Sequence, residues 1–253
     1  MINNSIDNGK VFDWGRTSES YAKYRNIYPT ELYDRLKEYN VGKPGVPWLD
    51  MGTGTGILPI NLFSKGSLIT GIDISKEQIE QAKCVAENAG YSIDFFNRPA
   101  ENTRLSDSSF DVITAAQCFM YFDKDKMVTE IERLLKPGGR FIKIYMGWLK
   151  DDVVIKSQEL VKKHNPDWLT GKPMIKDMRE HLFPVENMES FYSDIPFTRD
   201  SWTGRMKATR GVEASMSADQ VKLFEEEHTE LMLNFTSPEF TIRHKVFITT
   251  YKI

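Results

Sequence analysis

Between Trp48 and Tyr145 short apolar runs alternate with helix-like segments, and no other feature restricts the chain as much. The rhythm reads as βαβ units that build a parallel sheet. The candidate strands are V-P-W-L-D-M (46–51), S-L-I-T-G-I-D (67–73), S-I-D-F-F-N (92–97), F-D-V-I-T-A-A (110–116) and G-R-F-I-K-I-Y (139–145). Each is short and rich in β-branched or aromatic residues. Between the second and third, Ser75 is an N-cap with Gln78 three residues on, and Gly90 stops the helix. A later helix through K-M-V-T-E-I-E-R-L-L is expected to end at K-P-G-G, where Pro137 and the paired glycines break it.

Ahead of this core the segment 17–39 divides into two helical pieces at Tyr28-Pro29, because a residue before proline avoids the helical region. Behind it, helices are expected over 152–164, 175–183 and from Ala218 to Leu233, with strands at 188–194 and 244–251 pairing as an antiparallel edge. The expected organisation is one domain over 1–253. Residues 1–45 supply N-terminal lid helices, 46–147 the cofactor-binding core, 148–240 a cap insertion and the sixth strand, and 241–253 the final strand.

Thirty-three basic and thirty-six acidic side chains give a net charge of -3, which leaves no electrostatic footprint for a polyanion, so no nucleic-acid partner is expected. A polar start and the lack of any run of about 18 apolar residues argue against a signal peptide and a membrane partner, and point to the cytoplasm. Cys84 and Cys118 have no C-x-x-C or Cys/His neighbourhood and read as small buried hydrophobes. His164, His181, His228 and His244 are scattered, so no metal is expected, and E-E-E-H at 225–228 reads as a solvated helix face.

The first strand runs into M-G-T-G-T-G. Glycine lets a loop bend sharply and bring backbone N–H groups to a ligand, although a plain tight turn has the same look. Asp50 ends the strand, placed to contact a cationic group or to fix the loop. Gly52, Gly54 and Gly56 follow a G-x-G-x-G spacing with Ile57 next, unlike the dinucleotide fingerprint G-x-G-x-x-G, and no Lys-Ser or Lys-Thr follows to hold a triphosphate. Asp73 closes the second strand seventeen positions after Gly56. An acid there accepts both hydroxyls of a ribose or caps the following helix.

The ordered series V-P-W-L-D-M-G-T-G-T-G, G-I-D-I-S, R-P-A-E-N-T-R-L-S-D-S-S-F-D-V-I and L-L-K-P-G-G-R-F resembles class I S-adenosylmethionine-dependent methyltransferases of the type 11 kind, over residues 46–145. The resemblance implies an α/β fold: a Rossmann-like doubly wound seven-stranded sheet, mostly parallel with an antiparallel C-terminal hairpin, plus a helical cap. It also implies S-adenosylmethionine as cofactor, with the glycine loop (Gly52, Thr53, Gly54 and Gly56) under its methionine part, Asp73 on the ribose, Ala100 and Glu101 beside the adenine, Gln117 near the sulfonium, and Asp50 and Ile74 among the cofactor-binding residues. Many members carry an Asp where this chain has Pro99, so backbone contacts would replace that side chain.

Y-A-K-Y-R-N-I-Y-P and A-A-Q-C-F-M-Y-F-D look most like the trans-aconitate methyltransferase-like small-molecule branch, with Asn26, Met120 and Tyr121 where relatives carry proline, histidine and tryptophan. In related enzymes the first segment folds over the cofactor. That implies Tyr24 and Arg25 at the methionine carboxylate and Tyr21 and Tyr28 facing the acceptor; helical spacing also suits a plain packing stripe. Phe119, Met120, Tyr121, Tyr145, Trp148 and Arg205 are the other substrate-side candidates, the aromatics being equally ordinary core.

Methyl transfer from a sulfonium is mainly positioning chemistry. No catalytic residue is therefore demanded; Tyr21, Tyr28 and Tyr121 are candidates for acid–base help, and Arg25, Arg205 and Arg210 for clamping an acidic substrate. The expected activity is S-adenosylmethionine-dependent methylation of a small-molecule carboxylate or hydroxyl by a monomer or homodimer. The alternatives are a nicotinamide-dependent oxidoreductase and a catalytically silent S-adenosylmethionine-binding module.

Overall fold

The strand segments are short enough, and their apolar residues regular enough, to cover both faces of one sheet. The computed structural model describes residues 6–10 and 12–253; residues 1–5 and 11, part of the expected lid segment, lie outside the described residues. Strands β1 (Pro47–Met51), β2 (Leu68–Asp73), β3 (Asp94–Asn97), β4 (Phe110–Ala116) and β5 (Leu135–Trp148) are parallel, whereas β6 (Val185–Thr198) and β7 (Glu239–Lys252) pair antiparallel. The seven-stranded order is β3-β2-β1-β4-β5-β7-β6, with β7 antiparallel to β5. The expected doubly wound sheet with its reversed C-terminal hairpin is therefore present.

The α-helices among the described residues are α1 (Ser18–Tyr24), α2 (Thr30–Glu38), α3 (Ile57–Asn61), α4 (Lys76–Asn88), α5 (Lys124–Leu134), α6 (Asp152–His164), α7 (Lys172–Met178), α8 (Arg199–Lys207) and α9 (Ala218–Phe235). Side chains alternate along β4 and β5. Ile113, Ala115, Phe141 and Tyr145 pack with Met127, Ile131 and Leu134 of α5. Val112, Ile142 and Ile144 pack with Leu32 and Leu36 of α2 and Leu58 of α3. A further core joins α6, α8 and α9 to β6 and β7 through Trp202, Phe224, Phe197 and Ile242.

Several expectations change. Helix α5 stops at Leu134, and Leu135 already pairs with Phe110, so Pro137 and Gly138 (φ +79°) lie in an irregular start of β5 rather than ending the helix. Helix α2 is no lid: its apolar stripe is spent on the sheet face. Helix α7 begins earlier than expected, with Pro173 at its start, where the missing N–H costs nothing. Helix α8 has no counterpart in the sequence reading. Trp202, Thr203, Gly204, Arg205 and Met206 are all buried, and a helix enclosed on every side shows no apolar stripe to read.

Cys84 is exposed and Cys118 only partly buried, against the expectation for both. His228 is fully buried and hydrogen-bonded to Thr203 (2.9 Å) and Ser157 (3.0 Å), so the E-E-E-H face is solvated only at its glutamates.

Candidate active site

Strand order reverses at β1, whose neighbours are β2 and β4, and a crevice opens beyond the carboxyl ends of strands at such a point. A cavity of about 870 Å³ fills it. Its floor begins with the glycine loop. Gly52 and Gly54 line it, both with left-handed φ (+64° and +57°). At Gly52 a Cβ would stand 2.7 Å from Cys118 Sγ, so the close approach of loop and β4 end demands glycine.

The other loop residues stand apart from the cavity. Gly56, also left-handed, starts α3, and its missing Cβ makes room for the Phe95 ring. Thr53 donates its N–H to Ile72 O (2.9 Å) and is buried. Asp50 is 2% exposed and accepts from Thr114 Oγ1 (2.6 Å), itself an acceptor for Trp48 Nε1 (2.8 Å). Burial pushes the Asp50 carboxyl up to about 7. Of its two expected uses, only fixing the strand end under the loop fits this geometry.

Asp73 lines the cavity with both oxygens engaged: Oδ2 accepts Gly54 N–H and Oδ1 accepts Ser75 N–H, each at 2.9 Å. It thus ties the loop to the start of α4, whose N-cap Ser75 accepts from Gln78 N. Each carboxylate oxygen has two lone pairs, so one on each remains for a ligand. Burial raises its pKa, opposed by the backbone N–H groups. Next to it Ile74 is 59% exposed at the cavity wall, followed by Ala100 and Glu101, whose Oε1 accepts Asp123 N–H (3.1 Å).

At the end of β4, Gln117 takes a left-handed φ of +63° that a side-chained residue seldom adopts. Its N–H donates to Ile144 O (2.9 Å) and its Nε2 to Met146 O (2.6 Å), which holds it across the gap to β5. Over the loop, α1 and its C-cap bring Tyr21 and Arg25 to the cavity; the Arg25 guanidinium lies 4.7 Å from the Tyr21 ring centroid. Tyr24 turns the other way: its ring packs on Gly204 of α8, where a Cβ would come within 2.4 Å. Tyr28 packs edge-on against Tyr33 (6.4 Å) in the core with α2. The four-residue cluster therefore splits: Tyr21 and Tyr24 point apart on α1, Tyr28 lies in the segment after it, and Tyr24 and Tyr28 do not line the cavity.

On the acceptor side Met120, Tyr121, Trp148 and Arg205 line the cavity, but Phe119 and Tyr145 are core. Tyr145 donates its hydroxyl to Asp177 Oδ2 (2.5 Å) and accepts Met120 N–H (3.2 Å), so it braces α7 against the short turn at 119–121. Arg210 pairs with buried Asp7 (2.5 Å) and donates to the Tyr121 hydroxyl (3.0 Å). Phe12, Trp14, Trp168, Met174 and Thr209 also line the cavity and were not singled out from sequence. Trp14 and Phe12 pack on the Tyr121 ring at 5.7 and 5.6 Å. Their one signal was aromatic residues set in polar, aperiodic stretches.

Residues 49–143 match the family model described as methyltransferase domain. These residues form a methyltransferase domain. The chain is 28% identical over 128 residues to a ubiquinone biosynthesis O-methyltransferase of Vibrio atlanticus, covering 50% of this chain and 54% of that protein. The chain thus spans about half the length of the curated relatives it matches. A candidate type II methyltransferase of Anaeromyxobacter dehalogenans superposes with a TM-score of 0.63 at 22% identity, over 89% of this chain and 97% of that one. The cyclase SpnF superposes with a TM-score of 0.53 at 18% identity, over 88% and 80%. The methyltransferase match sets aside the nicotinamide alternative, while the fold shared with a cyclase leaves the acceptor side to be argued from its own residues. No helix among the described residues is long and apolar enough to cross a membrane.

Proposed function

We propose that this chain transfers a methyl group from S-adenosylmethionine to a small-molecule acceptor, a carboxylate or a hydroxyl. The observation that carries the reading is that one cavity joins two unlike walls: glycine loop and Asp73 on one side, an aromatic and cationic enclosure on the other. The first wall suits the cofactor. Gly52 and Gly54 would meet its amino-acid part, Asp73 the ribose hydroxyls with its spare lone pairs, and exposed Ile74 with Ala100 and Glu101 the purine. Arg25 would hold the carboxylate. When bound, the cofactor supplies a methyl group on a sulfonium with a neutral thioether as leaving group.

The chain's own work is then alignment and exclusion of water, worth several kcal/mol of barrier when the reactants are held in attack geometry. Gln117, locked to β5 by two hydrogen bonds, fixes the β4 end between the two halves. Phe12, Trp14 and Tyr121 wall the acceptor side from solvent. Tyr121 is a donor rather than a base: its oxygen accepts from Arg210, and burial raises its pKa. An acceptor that arrives ionised needs no base, which suits a carboxylate; a hydroxyl would have to lose its proton to solvent or to a group it brings. Transfer of labelled methyl across a panel of small acids, phenols and amines tests the reading. Product in the acid or phenol arm is expected. Binding of S-adenosylhomocysteine with no transfer to any compound would favour the silent module.

A further inference from the structure

Arg205 is an unpaired buried charge at the cavity wall. It is 5% exposed, and its Nε and Nη1 are buried without a hydrogen-bond partner. The guanidinium lies 4.8 Å from the Trp148 ring centroid, and burial together with the nearby Arg25 charge weakens its hold on the proton. A guanidinium nonetheless stays ionised in proteins. Among the described residues no carboxylate offsets it, whereas Arg210, equally buried, is matched by Asp7. A buried charge is costly unless paired, and the cavity is the direction from which a partner can come.

Arg25 and Arg205 stand at different places over the sheet. Arg25 lies on Tyr21, whose ring would be 3.8 Å from a Cβ at Gly54, at the end of β1. Arg205 lies on Trp148, the last residue of β5, two strands away in the order β1-β4-β5. Two like charges that face one cavity and are close enough to act on each other suit two anions, one on each ligand.

We propose that Arg205 anchors a carboxylate of the methyl acceptor, and that the acceptor is a small acid with an apolar or aromatic body lying against Trp148, Trp168 and Met174. A planar guanidinium stacked on indole is suited to a carboxylate monoanion, and the ring and thioether surface of Trp148, Trp168 and Met174 in the same cavity suits an apolar body. The inference rests on the methyl-transfer reading and names the substrate class for it.

Calorimetry on the protein saturated with S-adenosylhomocysteine tests it, using benzoate, phenylacetate and indole-3-acetate against their neutral amides. At least one acid is expected to bind wild type about tenfold or more tighter than its amide. Arg205→Gln should erase that preference while leaving S-adenosylhomocysteine affinity within about threefold, and Arg25→Gln should lower S-adenosylhomocysteine affinity instead. Equal binding of every acid and its amide to wild type overturns the inference, and needs no variant to fold. So does a larger loss of S-adenosylhomocysteine affinity in Arg205→Gln than in Arg25→Gln, which would give Arg205 to the cofactor. Absence of any S-adenosylhomocysteine binding to wild type is a separate outcome and overturns the methyl-transfer reading itself.

Discussion

Asp73 carries two duties at once, holding Gly54 and Ser75 through their N–H groups while facing the cavity. Asp73→Ala is expected to weaken S-adenosylhomocysteine binding by about 1–3 kcal/mol, read by calorimetry; unchanged affinity would remove it from the site. Asp50, one strand over and out of the cavity, acts on stability. Its folded pKa, pushed up to about 7, lies above the unfolded value near 3.8, so the folded state binds the extra proton. Its contribution is full below the unfolded pKa and is lost as pH rises through about 7. Asp50→Asn should therefore gain stability relative to wild type between pH 5 and 8, by up to about 4 kcal/mol in urea unfolding. Parallel pH profiles for the two proteins would rule this out. Both acids are visible in the sequence at strand ends; that one lines the cavity and the other supports the loop from below depends on strand packing.

Among the elements, α1 packs over the glycine loop against α4 and α8, and its tightest contact is Tyr24 on Gly204 of α8. A methyl group at Gly204 would overlap the ring, and such overpacking costs about 1–3 kcal/mol. Gly204→Ala is thus expected to lift α1, weaken S-adenosylhomocysteine binding and raise protease cleavage within residues 18–28. Unaltered cleavage and affinity would show that α1 is held elsewhere. This contact also explains which helices were legible. Helices α4 and α5 bury one face and announce their ends with Ser75 and Asp123 side chains that accept backbone N–H groups. Helix α8 is enclosed by α1, α9 and the β6 end, so its sequence shows no apolar stripe, and the residue it brings to the site, Arg205, was only one of three arginines offered for a clamp.

Over the whole molecule buried histidines and buried acids pull the response to acid in opposite directions. His228 and His244 are neutral when folded because burial pushes each down to about 4, below the ordinary 6.5. Their contribution is present above 6.5 and is lost as pH falls from there to about 4. Asp50, Asp73 and Glu213, each raised by burial, act oppositely over part of that range, so the histidine contribution is read by difference: His228→Asn is expected to lose less stability than wild type between pH 7 and 5 in urea unfolding. An equal loss in the two proteins would overturn this role for His228. The sequence by itself determined the parallel core, its strand boundaries to within a few residues, the antiparallel C-terminal pair and the acid after the glycine loop, because these follow from local periodicity and from what glycine and proline permit. Only the tertiary structure decided which side chains share the cavity. Tyr21 and Tyr24 differ by less than a turn of helix yet face different partners, and Phe12, Trp14 and Trp168 reach the site from segments with no local pattern. Side-chain direction at a site is set by packing between elements distant in the chain, and no local pattern encodes that packing.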